Sequence, residues 1–144
     1  MNLALKFLFS CFLCLATIVQ ASTTNDTRVD TDAVLANYIA SWSMTDAAQR
    51  LSALKTIWTE DGVHESPYGR SEGITAINQE IEGFLKMFPG ARVTLEDIKQ
   101  TGNQIVCTFT LKNTDGAVVM TGTDYFEFTE TGKLVKVVGF VAQQ

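Results

Sequence analysis

The chain of 144 residues contains few of the residues that bind metals or crosslink a fold. It has three cysteines and a single histidine, His64. Cys11 and Cys14 lie in the amino-terminal segment, which leaves Cys107 alone in the rest of the chain. One cysteine cannot form an internal disulfide, and one cysteine with one histidine cannot make a structural zinc site. No cofactor motif is present either, so we expect no metal and no cofactor.

Basic residues are also scarce. There are 11 Lys and Arg against 16 Asp and Glu, and the net charge is −5 at pH 7. This acidic balance argues against nucleic acid and against an anionic membrane surface as partners. Cys107 lies in an alternating strand pattern, and we interpret it as core packing rather than as a reactive thiol.

The first 21 residues are typical of a targeting sequence. Lys6 precedes an apolar run over residues 7–19, and Val19-Gln20-Ala21 has small residues at the two positions that a signal peptidase reads. The run is too short to cross a membrane comfortably. We predict a signal peptide over 1–21, a flexible lead-in over 22–29 and one domain over 30–144, in a protein that is secreted or periplasmic. An uncleaved membrane anchor is the alternative.

Three helices are predicted in the first part of the domain. The first begins near Asp30, with aromatic and aliphatic side chains four residues apart. The second begins at Asp46, whose carboxylate can cap it. The third covers about residues 74–88, with apolar residues along one face, and ends before Pro89.

Four strands are predicted in the second part, over residues 92–101, 104–112, 118–129 and 134–141. Apolar and polar residues alternate along them, and short turns separate them. Such strands form an antiparallel meander. Helices followed by strands predict an α+β domain in which the helices pack on one face of the sheet.

Residues 57–73 lie between the second and third helices and change character several times. We predict that the second helix closes at Trp58, that residues 60–62 form a turn and that residues 68–70 form a loop. Residues 63–66 are predicted to be extended, because the residue before a proline is disfavoured in helical geometry.

The extended segment carries the histidine. Side chains alternate along a strand, so His64 and Ser66 point to the same side. A lone histidine beside a helix end that carries a tryptophan is the best candidate for chemistry in this chain. A structural histidine in a pocket wall is the alternative.

The order and spacing of these segments resemble the SnoaL-like branch of the NTF2-like superfamily. The resemblance covers about residues 30–141. It is carried by residues 50–58, 57–73, 88–90 and 122–134, and by Gly139-Phe140 near the end. It implies an NTF2-like cone, in which three N-terminal helices pack on a strongly curved antiparallel sheet that encloses a pocket.

Ketosteroid isomerase, in the same superfamily, is an instructive comparison. It stabilises an oxyanion with a tyrosine on its first helix and a protonated aspartic acid on a late strand. Tyr38 and Asp124 lie at the matching places. Its general base is an aspartate directly before a proline, but this chain has Ser66 before Pro67, and a serine cannot act as a carboxylate base. His64 is the nearby side chain that can take over proton transfer near neutral pH.

Asp124 is an acidic residue on an apolar strand face. Its neighbours on that face are Phe126 and Phe128. Burial there raises a carboxyl pKa. We therefore expect Asp124 to face the pocket, to have a raised pKa and to lie within hydrogen-bond reach of Tyr38 or His64. A purely structural hydrogen bond is the alternative.

These residues predict a small-molecule pocket. The catalytic candidates are Asp124, His64 and Tyr38. The ligand-binding candidates are Trp42, Trp58, Ser66, Tyr68, Phe84, Phe88 and Phe109. The first functional hypothesis is an exported, cofactor-independent isomerase, cyclase or dehydratase that acts on a small hydrophobic carbonyl compound by proton transfer.

Two other functions remain open. One is a non-catalytic binding protein for a small apolar ligand. The other is an interaction module that forms a homodimer through the outer face of its sheet. For that surface we predict an apolar patch made of Val135, Val137 and Val141, on the side opposite Leu134, Val138 and Phe140.

Overall fold

A computed structural model describes residues 30–142 of the chain. The predicted signal peptide and lead-in, residues 1–29, lie outside the described residues. The helices are α1 (Asp32–Ser41), α2 (Ala47–Ile57) and α3 (Ile74–Met87). The strands are β1 (Trp58–Ser66), β2 (Gly69–Glu72), β3 (Arg92–Thr101), β4 (Gln104–Lys112), β5 (Val118–Phe128) and β6 (Leu134–Val141). No helix of the described part is long and apolar enough to span a bilayer.

The second helix begins at its predicted cap. Asp46 Oδ1 accepts hydrogen bonds from the backbone N–H groups of Ala48 and Gln49, each at 2.9 Å. The cap satisfies two of the amide groups that a helix amino terminus leaves without partners. α1 differs, because Thr31 precedes it without a side-chain capping bond.

The three helices and six strands form the predicted α+β fold. The strand order is β2-β1-β6-β5-β4-β3. β1 and β6 pair in parallel, whereas all other neighbours are antiparallel. The predicted antiparallel meander is confirmed in β3–β6, and the parallel pairing of β1 with β6 makes the whole sheet mixed. β3, β4 and β5 separate β1 from β6 in sequence, and β6 returns beside β1 in the same direction. The sheet is also not strongly curled, unlike the predicted cone.

The hairpin of β1 and β2 corrects the prediction for residues 57–73. Residues 60–62 are strand rather than turn, and most of the predicted loop belongs to β2. Val63 pairs with Glu72 and Ser66 with Gly69. Several side chains here are polar and exposed, so no apolar alternation marks these strands. Backbone pairing decides the conformation instead.

The core lies between the helices and one face of the sheet. A buried arginine joins two of the helices: Arg50 Nε–H donates to Asn78 Oδ1 at 2.7 Å, and its guanidinium also donates to the carbonyl of Met44. The bond to Asn78 holds α2 against α3, and the bond to Met44 fixes the segment before α2. Because α3 supplies one wall of the cavity described below, Arg50 helps to position that wall.

The opposite face of the sheet carries exposed apolar residues, but two of the three predicted residues are not among them. Val137 is fully buried and Val141 lines a cavity on the helical side, so these two residues cannot form an outer patch. Phe140 and Val106 are exposed instead. The strand register explains why Phe140 points outward. Phe140 pairs with Thr123, the neighbour of Asp124 on β5, and adjacent residues of a strand face opposite sides of the sheet.

Candidate functional site

A cavity of about 290 Å³ lies between the helices and the inner face of the sheet. Its wall includes nine of the ten candidate residues: Tyr38, Trp42, His64, Ser66, Tyr68, Phe84, Phe88, Phe109 and Asp124. The tenth, Trp58, is fully buried and lines a second cleft near the amino end of α3. The structure thus brings nine candidates together, and their roles in binding or catalysis stay predictions.

His64 lies on the inner face of β1 and is buried. Its Nδ1 atom is 2.8 Å from Glu80 Oε1 on α3, and its Nε2 atom is 3.4 Å from the Tyr38 hydroxyl on α1. A neutral imidazole in this arrangement donates from Nδ1–H to the carboxylate. Its Nε2 lone pair then faces the Tyr38 hydroxyl. This assignment leaves a basic nitrogen at the cavity.

Glu80 is a site residue that was not predicted from the sequence. It lies three residues after Ile77 and four before Phe84, on the side of α3 that faces the core. Residues with this spacing share one helix face. An acidic residue on the apolar face of a helix indicates a buried carboxylate, and this pattern could have identified Glu80 from the sequence. The second carboxylate oxygen of Glu80, Oε2, is buried and has no hydrogen-bond partner among residues 30–142.

Asp124 lies on the inner face of β5 and is 8% exposed. Its cross-strand neighbours are Cys107 on β4 and Gly139 on β6. A Cβ atom at Gly139 would lie 3.2 Å from Asp124 Oδ1, so the glycine leaves room for the carboxyl. Burial raises the pKa of Asp124 to about 6, and the nearby charge of His64 partly opposes the increase.

The position and raised pKa of Asp124 agree with the prediction, but its expected hydrogen bond is missing. Within the described part of the chain, its carboxyl bonds neither to Tyr38 nor to His64; Tyr38 is directed to His64 instead. Asp124 is therefore a buried acid that lines the cavity without a hydrogen-bond partner in residues 30–142.

Tyr38 remains a protonated hydroxyl over the ordinary pH range. Burial raises its pKa well above the usual value, and the negative charge of Asp124 adds to the increase. The ring is fixed by edge contacts with Trp42 and Phe126, whose centroids lie 6.0 and 5.2 Å away. A fixed neutral hydroxyl is suited to donate a hydrogen bond to a ligand oxygen.

Ser66 has a local structural role in addition to its place in the wall. Its Oγ atom accepts a hydrogen bond from the backbone N–H of Tyr68 at 3.2 Å, across the turn that contains Pro67. This bond stabilises the link between β1 and β2. The position directly before Pro67, where ketosteroid isomerase has its aspartate base, is therefore occupied by a serine that cannot act as one.

The rest of the wall is apolar. Phe84 lies between Trp42, which it meets edge to face, and Phe88, to which it is tilted, with ring centroids 5.0 and 5.3 Å away. Phe109 covers the sheet side. Among residues 30–142, no three His, Cys, Asp or Glu side chains converge as a metal site would require. The arrangement combines one apolar chamber with a few polar groups that can exchange protons.

The comparisons with protein families and with solved structures both point to the SnoaL-like family. The family model of the SnoaL-like domain matches residues 35–137. No curated protein matches the chain. A solved structure of a proposed isomerase of the SnoaL-like family from Agrobacterium tumefaciens is 28% identical with a TM-score of 0.72, over 77% of this chain and 96% of that one.

Two further structures are more distant. A proposed polyketide cyclase from Sinorhizobium meliloti is 18% identical with a TM-score of 0.62, over 75% of this chain and 94% of that one. A proposed ketosteroid isomerase from Kribbella flavida is 17% identical with a TM-score of 0.60, over 79% and 78%. These two similarities concern the fold alone. With its NTF2-like α+β fold and a family match over most of its length, this chain belongs to the SnoaL-like domain family.

Proposed function

We propose that the protein is a cofactor-independent enzyme that moves a proton on a small hydrophobic carbonyl compound, in an isomerisation, cyclisation or dehydration. The observation that carries this proposal is the 2.8 Å contact between Glu80 Oε1 and His64 Nδ1 at the polar end of an apolar cavity. A carboxylate that holds a histidine in one tautomer is a common way to prepare a general base.

In the proposed reaction His64 Nε2 removes a proton from the carbon next to the carbonyl group. The electron pair of that C–H bond moves towards the carbonyl oxygen, which becomes an enolate oxygen. The imidazolium that forms is stabilised by Glu80. In an isomerisation His64 returns the proton to another carbon as the carbonyl re-forms. In a dehydration His64 protonates the hydroxyl group, which leaves as water while the enolate electrons form a C=C bond. In a cyclisation the enolate carbon bonds to a second carbonyl carbon of the same molecule, and His64 protonates the oxygen of that carbonyl.

The developing negative charge on the ligand oxygen needs donors. Tyr38 can supply one, because its raised pKa keeps the hydroxyl protonated. Its single proton turns from His64 Nε2 to the ligand oxygen as Nε2 takes up the substrate proton. Asp124 can supply a second donor when it is protonated. A ligand that fills the cavity removes water from this carboxyl and raises its pKa further above 6. Binding of an uncharged carbonyl compound therefore favours the donating form of Asp124.

Exchange of deuterium for hydrogen next to a ketone tests this proposal without knowledge of the natural substrate. The wild-type protein is incubated in D₂O with a panel of cyclic ketones, 2-tetralone among them, and exchange is followed by proton NMR. We expect faster exchange than in buffer, and a loss of roughly 10²–10⁴-fold in His64→Gln. Wild-type exchange at the buffer rate across the panel would contradict the proposal.

A second pair of variants tests the donor. Tyr38→Phe should lower the exchange rate, because it removes the hydroxyl from the cavity. Tyr125→Phe is the matched control, since Tyr125 lies on β5 but pairs with Val138 on the other face of the sheet. Equal effects of the two substitutions would argue against a role for Tyr38 in the reaction.

A non-catalytic binding protein is the second candidate. The observation that favours it is Ser66 before Pro67, where related enzymes have a carboxylate base. In that case the wild-type protein binds ketones without exchanging their hydrogens, and Ser66→Asp introduces exchange. Exchange by the wild-type protein that depends on His64 would exclude this candidate.

Export and self-association complete the proposal. Export is supported by the apolar run and the small residues of the first 21 positions.

Homodimer formation is supported by Phe140 and Val106, which are 58% and 44% exposed on the outer sheet face. Light scattering of the purified domain tests the dimer. Phe140→Ser should shift a dimer towards monomer, and a wild-type monomer at high concentration would contradict self-association.

A further inference from the structure

The charges around the cavity are all of one sign, apart from the histidine. Its lining residues in the described part of the chain include two carboxylates, Glu80 and Asp124, but no lysine and no arginine. His64 is the one lining group that can become positive, and Glu80 already bonds to it. A ligand with a negative group would therefore meet repulsion that nothing in the wall offsets.

Asp124 is the group that most needs a donor. The residue is more than nine-tenths buried, its carboxyl faces the cavity, and no side chain or backbone group of residues 30–142 donates to it. Glu80 Oε2 is fully buried without a partner in this part of the chain, whereas Asp124 keeps its 8% exposure. A buried acceptor without a donor costs about 1–3 kcal/mol. A ligand that brings N–H donors to this end of the cavity would recover that free energy.

The remaining wall suits the hydrocarbon part of such a ligand. Trp42, Phe84 and Phe88 form a continuous aromatic surface, because their neighbouring ring centroids lie 5.0 and 5.3 Å apart. Aromatic rings bury apolar groups, and their faces also attract cations. The same wall can therefore hold a hydrophobic group and tolerate a positive charge beside it.

We propose that the cavity also binds hydrophobic amines in their protonated form. The ammonium group is directed to the end that holds Asp124 and Glu80, and the hydrocarbon part lies against the aromatic wall. An ammonium group supplies a positive charge and three N–H donors, which match the unpaired acceptors. A carboxylate of the same shape is rejected. This binding requires no turnover, so it can be tested whether or not proton transfer occurs.

A matched series of three ligands tests the proposal on the wild-type protein. Phenethylamine, 2-phenylethanol and 3-phenylpropanoate share a phenyl ring and a two-carbon chain and differ in charge. Titration calorimetry at neutral pH should show the amine binding about tenfold more tightly than the alcohol, and the carboxylate about tenfold more weakly. The proposal is overturned if the amine does not bind, or if the alcohol or the carboxylate binds as tightly.

Two substitutions then assign the effect to the two acids. Asp124→Asn and Glu80→Gln should each reduce the preference for the amine over the alcohol to about threefold or less. Glu82→Gln is the matched control, because Glu82 lies on the same helix but pairs with Lys86 outside the cavity. A preference that survives both cavity substitutions would overturn the assignment. The wild-type series remains decisive if either variant fails to fold.

Discussion

Glu80 and His64 are 16 residues apart in the chain, yet Glu80 Oε1 lies 2.8 Å from His64 Nδ1. β1 carries the imidazole and α3 carries the carboxylate, and β2 lies between them in sequence. Pairing of β1 with β2, together with the backbone bond from Gly73 N–H to the Gly62 carbonyl at 2.8 Å, sets the start of α3 beside β1. The hairpin thus positions the two side chains that define the site.

Glu80→Gln is expected to lower the exchange activity by roughly 10²-fold or more, with little change in KM, because the imidazole loses the group that orients it and stabilises its charge. Glu80→Asp should keep part of the activity, since the charge remains. Glu82→Gln should retain wild-type rates. Full activity in Glu80→Gln would show that the contact is only structural.

Asp124 is expected to reduce stability at neutral pH. Its pKa is about 6 in the folded protein and about 3.9 in an unfolded chain. The folded state therefore binds the proton more tightly, so stability is greatest below the unfolded pKa and falls as pH rises through the folded pKa. Asp124→Asn removes this dependence and should raise the free energy of unfolding at pH above 7 by about 2–3 kcal/mol.

Urea unfolding at two pH values checks this effect. The advantage of Asp124→Asn should shrink to below about 1 kcal/mol near pH 4, where the folded wild-type carboxyl is protonated and the unfolded one is about half protonated. Asp115→Asn, in the exposed turn before β5, should change stability little at either pH. A destabilised Asp124→Asn at neutral pH would contradict the burial argument.

Two glycines of the cavity region should respond in opposite directions to alanine. At Gly122 a Cβ atom would collide with the Phe140 carbonyl and lie 2.5 Å from the ring of Phe109, so Gly122→Ala should cost about 1–3 kcal/mol. At Gly83, on α3, no heavy atom of the described residues lies within 4 Å of that position apart from its own helix. Gly83→Ala should stabilise the helix by up to about 1 kcal/mol. Thermal unfolding checks both predictions, because the Tm should fall in Gly122→Ala and rise in Gly83→Ala.

Processing of the amino terminus is a separate prediction. When the full chain is expressed in a host that exports it, the mature protein should begin at Ser22, because cleavage follows Ala21. Amino-terminal sequencing of the exported fraction checks this. Material that still begins at Met1, or that stays with the membranes, would contradict the export proposal.

The local parts of the fold were predictable from sequence. β3, β4 and β6 have the predicted bounds, because alternation and glycine turns act over a few residues. β1 was predicted only in part. Polar residues such as Glu60 and Asp61 remove the apolar alternation that marks a strand, and the pairing of β1 with β6 depends on segments that are far apart in sequence. The raised pKa of Asp124 followed from its phenylalanine neighbours on one strand. The contact of Glu80 with His64 did not, because it depends on how a helix packs on a strand.

The tautomer of His64 decides whether a basic nitrogen faces the cavity. His64 is the single histidine of the chain, so untagged protein labelled with ¹⁵N in its imidazole gives one set of ring signals. In the neutral imidazole we predict that Nδ1 carries the proton and that Nε2 is unprotonated, and that Glu80→Gln weakens this preference. Wild-type protein with the proton on Nε2 would contradict the account, because the basic nitrogen would then not face the cavity.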